Sequence, residues 1–218
     1  KNTSKNSTGS RTHLFSQFNM NFVDEETKNS NLEINYQSVS NNTYFKIHDI
    51  DTSLIDTDFN ILENTVDYTY ENEDVFFGVN VSAFENTTIQ NRKRYEYLLP
   101  YINFEKNLLV DDNFGVFDLS SKLRVKNYDV NKQTEILVND FGWKSNKWIS
   151  DFGIDSRFEG LLKAVNYNAS KDVEYKTDEN NSELSGVIGI MSKLGMYRKG
   201  SLNKTIYSLT PKTLLRYA

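Results

Sequence analysis

The chain has 218 residues, with 25 Lys+Arg against 30 Asp+Glu, a net charge of -5, no cysteine, two prolines, 13 Tyr and 14 Phe. That balance offers no basic stripe to a nucleic acid, and without cysteine neither a disulfide framework nor a thiolate metal site can exist. No apolar run approaches the roughly 20 residues that a transmembrane helix needs.

Val, Ile, Thr, Tyr and Phe recur throughout, and Asn, Asp, Ser and Lys cluster between the apolar stretches, which is the composition of strands joined by turns. Residues 1–12 read as a polar loop or strand connection. Alternation with a period of two starts in His13–Val23, where Phe18, Met20 and Phe22 alternate with Gln17, Asn19 and Asn21. Next, Leu32, Ile34 and Tyr36 oppose Glu33, Asn35 and Gln37. Near Leu62–Tyr70, Val66, Tyr68 and Tyr70 oppose Thr65, Asp67 and Thr69. Phe77, Val79, Val81 and Ala83 then alternate with Gly78, Asn80 and Ser82. Further strands are expected at Tyr101–Glu105, Phe114–Lys126, Thr134–Trp143, Trp148–Tyr167, Leu184–Tyr197 and Ile206–Tyr217, about ten in all.

Trp148–Tyr167 is the most informative segment. Trp148, Phe152, Ile154, Phe158, Leu162 and Ala164 share one parity, and Asp151, Asp155, Arg157, Glu159 and Lys163 share the other. Helical spacing would mix the two sets. A strand of this length exceeds those of ordinary sheets and suits a tilted strand that crosses a bilayer and continues beyond it. On that reading Phe152, Ile154, Phe158 and Leu162 face lipid, and Asp151, Asp155, Arg157, Glu159 and Lys163 face a wet lumen. A charge placed at Phe152 is then expected to cost about 2–4 kcal/mol near mid-membrane.

The expected connections are Asp24–Ser30, the long Ser40–Asn60, Glu71–Asp74, Glu85 to about Leu99, Lys106–Asn113, Asn127–Gln133, Lys144–Lys147, the long Asn168–Glu183 and about Lys199–Asn203. Short and longer links mostly alternate, as in outer-membrane barrels, whose turns are short on one side and longer on the other. Phe22, Tyr70, Phe77, Phe104, Phe114, Trp143, Trp148 and Tyr197 lie near the short turns, where an interfacial aromatic girdle would form. Pro100 is expected at a strand start and Pro211 at a bulge.

Catalytic groups are few. His13 and His48 are the two imidazoles, and His48-Asp49-Ile50-Asp51 reads as a solvated acidic turn. No Gly-x-Ser-x-Gly elbow or phosphate loop appears, so the chain is expected to be no enzyme and to carry no metal or cofactor. The cluster Arg92, Lys93 and Arg94 falls in an expected outer loop. There it could meet the phosphates of a surface glycolipid or stay solvated.

Leu32–Ser40 with Tyr44-Phe45 and Asp49-Ile50-Asp51, then Leu99-Pro100-Tyr101-Ile102-Asn103-Phe104, then Leu209-Thr210-Pro211-Lys212-Thr213-Leu214-Leu215-Arg216-Tyr217-Ala218, in this order and spacing, resemble the LptD (organic-solvent-tolerance, OstA) family. The resemblance implies a cell outer-membrane protein with a periplasmic jellyroll and a very large barrel holding an LptE-type plug lipoprotein. Such a protein receives lipopolysaccharide from the periplasmic Lpt bridge and releases it to the outer leaflet. This chain, polar at its start and still strand-like at Ala218, would cover roughly the first third to half of that barrel. The expected architecture is therefore all-β, an antiparallel up-and-down transmembrane barrel segment over 1–218. The alternatives are another outer-membrane barrel (a porin or receptor) and a soluble or surface adhesin or solenoid.

Overall fold

The computed structural model describes residues 12–25, 27–41, 53–54, 60–89, 91–172, 174–175, 180–200 and 206–218. The expectations for residues 1–11, Tyr44-Phe45 and His48–Asp51 lie outside the described residues.

The described chain is all-β apart from a one-turn 3₁₀ helix, Arg92–Arg94. Its strands are β1 (His13–Glu25), β2 (Lys28–Val39), β3 (Ile61–Glu71), β4 (Val75–Asn86), β5 (Tyr95–Asp111), β6 (Gly115–Tyr128), β7 (Lys132–Lys144), β8 (Trp148–Ile149), β9 (Ile154–Ser170), β10 (Asn181–Leu194), β11 (Met196–Lys199), β12 (Ile206–Leu209) and β13 (Lys212–Tyr217). Eleven strands form one sheet in the order β1-β2-β3-β4-β5-β6-β7-β9-β10-β13, with β8 added beside β9, and β11 pairs β12 in a separate ribbon. This is an antiparallel meander. β1 and β13 end the path and do not pair with each other, so the described strands form an open sheet rather than a closed barrel.

Two compact units divide these strands. One contains β1–β4 with residues 95–103, 123–128, 132–136 and 167–170 of β5, β6, β7 and β9. The other contains the remaining lengths of those four strands with β8 and β10–β13. In the first unit the register aligns like with like. Phe18 pairs Ile34, which pairs Val66, which pairs Val81; Met20, Leu32, Tyr68 and Val79 form the next row. Phe22, Ser30, Tyr70 and Phe77 form a third, so three of the expected girdle rings share one row. A polar row, Asn19, Glu33, Asp67 and Asn80, runs between the first two, and another, Gln17, Asn35, Thr65 and Ser82, flanks the first on its other side. A slip of one residue would put every apolar side chain opposite a polar row, and this pins the register.

Local chemistry closes the turns. The Asn72 side chain accepts from the backbone N–H groups of Asp74 (3.0 Å) and Val75 (2.8 Å). The Asp111 carboxylate does the same for Asn113 and Phe114, at 2.7 and 2.9 Å, the Asx geometry that makes Asn and Asp turn formers. Gly115 then leaves that turn at φ +91°, a backbone region closed to most side chains.

Several strands are longer or more broken than the alternation implies. β5 starts at Tyr95 and runs through Pro100, with the Leu99–Pro100 bond cis, so Pro100 sits inside a strand and the fourth link shrinks to residues 87–94. The fifth and sixth links are only residues 112–114 and 129–131. The long–short alternation therefore stops at the sixth link. Phe104 lies in mid-strand rather than beside a turn. The Leu184–Tyr197 segment breaks at Gly195, and Ile206–Tyr217 breaks at Thr210-Pro211, where Pro211 separates two strands instead of forming a bulge. Its carbonyl accepts from Leu194 N at 3.1 Å. Tyr197 consequently belongs to the small ribbon.

Trp148–Tyr167 is not one strand. β8 ends at Ile149, residues 150–153 turn, and β9 returns antiparallel, with Trp148 opposite Ser156 and Ile149 opposite Asp155. Ser150 N donates to Ile154 O (2.9 Å), Gly153 N to Ser150 O (2.8 Å) and Ile154 N to the Ser150 hydroxyl (3.2 Å), while Gly153 takes φ +77°. Asp151 and Phe152 are turn residues. Phe152 is 87% exposed, so its assignment to a mid-strand lipid face, and that of Asp151 to the lumen wall, are corrected.

Candidate functional site

The surface with the clearest chemical order is the pair of faces of the sheet. Among the described residues only Leu62 and Ala169 are buried apolar side chains. A water-soluble chain of this size buries most of its apolar side chains in a core; here those of β1–β4 stand in cross-strand rows that alternate with polar ones.

In the second unit, Phe158 and Leu162 of β9 are 44% and 45% exposed. Leu162, with Leu161, Phe117, Phe141, Trp143, Ile188, Tyr217, Gly160 and Gly186, lines a shallow apolar groove of about 440 Å³ that does not include Phe158. Phe117 and Trp143 stack at 6.2 Å. Trp148 meets Phe158 at 5.1 Å. Trp143 Nε1 donates to Phe114 O at 2.7 Å, so the indole keeps an apolar body and a satisfied polar tip. Ile154 shares this parity and is half-buried.

The opposite parity of β9 carries ion pairs. Asp155 meets Lys193 of β10 at 3.1 Å, Arg157 meets Glu159 at 2.6 Å, Glu159 also meets Arg216 of β13 at 4.0 Å, and Lys163 meets Asp140 of β7 at 3.1 Å. Asp118 and Lys144 continue the series on β6 and β7 at 3.8 Å. Four of the five charges expected on this face are thus brought together, without Asp151. Their partners Asp140, Lys193 and Arg216 were not singled out, because cross-strand register is invisible within one strand.

The first unit repeats the scheme with amides and a hydroxyl gathered around the carboxylates of Glu33 and Asp67. Gln17 donates to Glu33 (3.1 Å), Asn35 to Glu33 and Thr65 (3.2 Å each), and Asn80 to Asp67 (2.5 Å), all among residues of the two polar rows. These side chains satisfy one another, as half-buried polar groups usually do, whereas the buried Asn31 Oδ1 has no hydrogen-bond partner among the described residues.

The alternation of β9 reverses after Ala164. Val165, Tyr167 and Ala169 are apolar where Lys163 is charged, and Asn166 and Asn168 are polar where Leu162 is apolar. Only Ile154–Ala164 is amphipathic in the expected sense, about the 9–11 residues of a membrane-crossing strand. Leu161 is the exception, an apolar side chain on the charged side.

The basic cluster is mostly neutralised. Lys93 pairs Asp129 at 3.3 Å, and Arg94 pairs Glu85 at 3.4 Å and lies 4.6 Å over the Tyr95 ring, whose hydroxyl accepts from it. Asp129 also meets Lys132 at 3.1 Å. The hydrogen bonds from Lys132 and then Lys93 hold its carboxyl below the usual range. Arg92 is exposed, and no described carboxylate pairs with it.

The sequence matches no family model and no curated protein.

Proposed function

We propose that this chain is part of the wall of a Gram-negative outer-membrane β-barrel whose cargo is lipopolysaccharide. The observation that carries the wall reading is a long meander whose described residues bury only Leu62 and Ala169 among apolar side chains, with apolar and polar rows alternating in the first unit and an ionic network opposite Phe158 and Leu162 in the second. In water, rows of exposed apolar side chains are unfavourable; against hydrocarbon they are solvated. Strand lengths support the reading. At a rise of ~3.3 Å per residue and a tilt near 40°, the 11 residues of β3 rise about 28 Å, close to the ~30 Å of a bilayer core. The 17 residues of β5 and β9 extend beyond it.

The ionic face supports a wet lumen. Paired carboxylates and cations there carry little net charge, which suits passage of an amphipathic, anionic lipid better than an unpaired basic wall would. The cargo, the LptE-type plug and the periplasmic Lpt bridge rest on the resemblance carried by Leu32–Ser40, Leu99–Phe104 and Leu209–Ala218. No catalytic role is part of the reading.

Nitroxide labels placed singly at residues 157–163 of the vesicle-reconstituted protein test the wall. Oxygen accessibility should peak at Phe158, Gly160 and Leu162, and nickel-chelate accessibility at Arg157, Glu159 and Lys163. Accessibilities without that two-residue oscillation would refute the membrane wall. A photoreactive residue at Asp155 tests the cargo separately: it should capture lipopolysaccharide in cells, and capture of phospholipid alone would leave a wall without this cargo.

A further inference from the structure

The first unit holds a cleft of about 490 Å³ beside the Asp129–Asn131 turn, within the ~300–1,000 Å³ of typical small-molecule sites. Its walls are Tyr95, Tyr97 and Tyr128, its edges Asn127, Val130 and Asn131, and its one described charge is Arg92. No carboxylate belongs to the described lining, so a cationic ligand would find no counter-charge.

Neighbouring side chains hold the walls, Lys132 among them at 5.8 Å from the Tyr128 ring centroid. Tyr95 and Tyr97 stack at 6.1 Å and 18°, and Arg94 lies over Tyr95. Lys126 lies 4.8 Å over Tyr128, whose hydroxyl donates to Asp172. The other cations nearby are engaged: Lys93 and Lys132 by Asp129, Arg94 by Glu85 and Lys126 by Glu96 at 2.9 Å. Among the described residues lining the cleft, Arg92 is the cation that no described carboxylate engages. The turn supplies an independent sign. Asp129, Val130 and Asn131 take φ +44°, +56° and +70° in succession. For a β-branched residue such as Val130 that conformation is a true outlier, and strain of this kind gathers at binding sites.

Fixed ring faces suit the C–H face of a sugar, Asn127 and Asn131 offer amide donors and acceptors to its hydroxyls, and a free guanidinium suits a phosphate, which it can bind through two parallel N–H groups. We propose that this cleft binds a phosphorylated saccharide, with Arg92 pairing the phosphate and the three tyrosines packing the sugar ring. The site goes beyond the barrel wall and stands whichever solvent meets the sheet's apolar face.

The test is titration calorimetry of the full-length detergent-solubilised protein with a hexosamine phosphate. Arg92→Gln should weaken binding about tenfold, as loss of a charge-assisted pair does, and Tyr97→Ala should weaken it similarly. Lys93→Gln, whose cation already faces Asp129, should change it less than about twofold. Near-UV circular dichroism matching wild type shows that the variants are folded. Displacement by a phosphorylated glycolipid in mixed micelles assigns the ligand to a lipid headgroup, and displacement by the soluble sugar phosphate alone assigns it to a free saccharide. The proposal is overturned if the wild type does not bind or if folded Arg92→Gln binds like wild type. Inorganic phosphate or a nucleoside monophosphate binding as tightly as the sugar phosphate would also overturn it.

Discussion

Replacing Leu162 with Arg puts a guanidinium in the amphipathic stretch of β9, on the side held by Phe158 and Gly160. Leu162 is 45% exposed. If water meets that face, only the burial of its other half is at stake. Full burial of a Leu side chain is worth about 1.5–3 kcal/mol, so the loss is about 1 kcal/mol, and the aliphatic stem of Arg recovers part of it. If hydrocarbon meets that face, the charge itself costs about 2–4 kcal/mol near the midplane. The total of about 3 kcal/mol or more lowers the folded-to-unfolded ratio at least a hundredfold. Phe152→Arg is the internal control. At an 87% exposed turn position, it should change stability by no more than about 0.5 kcal/mol. Asp155→Asn gives up the partly exposed pair with Lys193 and should cost about 0–1 kcal/mol. Urea titration of the vesicle-refolded variants, followed by tryptophan fluorescence and by heat-modifiable gel mobility, measures all three. A Leu162→Arg cost no larger than that of Phe152→Arg would refute the assignment of this face to lipid.

Two further outcomes follow from the turns. Gly115→Ala should destabilise by about 2 kcal/mol or more, because Ala is strained at φ +91° and its Cβ would overlap the Lys144 carbonyl and lie 2.8 Å from Ser145 backbone atoms. Unaltered urea midpoints would contradict this packing. The Asp129 and Asp172 carboxyls are both held below their ordinary value of 3.8, Asp129 by Lys132 and Lys93, Asp172 by the Tyr128 hydroxyl and the Glu174 N–H. A depressed folded-state value means the contribution is complete above the unfolded value and is lost as pH falls through the folded one. Amide-exchange protection of residues 126–133, corrected for intrinsic rate, should therefore hold from pH 7 to about 5 and fall below about 4. A loss already complete at pH 5 would show that these carboxylates do not secure the turn.

The two faces were legible in the linear pattern. Period-two alternation found β1–β4, and in β9 it put Asp155, Arg157, Glu159 and Lys163 on one side and Ile154, Phe158 and Leu162 on the other, because successive strand side chains must point to opposite faces. The same logic failed at Phe152 for a specific reason. The turn between β8 and β9 has four residues, an even number, so Trp148 and Ile154 keep the same parity and the alternation passes through the reversal unmarked. The two-residue break at Thr210-Pro211 hides in the same way. Strand ends were also hidden, since β5 continues through Pro100 and beyond its alternating centre, where hydrogen bonding to neighbours decides and local pattern does not. What only the tertiary structure decided is partnership. Asp140 meets Lys163, Lys193 meets Asp155, Asp129 takes up Lys93, and Arg92 is left facing three tyrosines. Each depends on the register between strands, and register is a property of pairs of strands that neither strand carries alone.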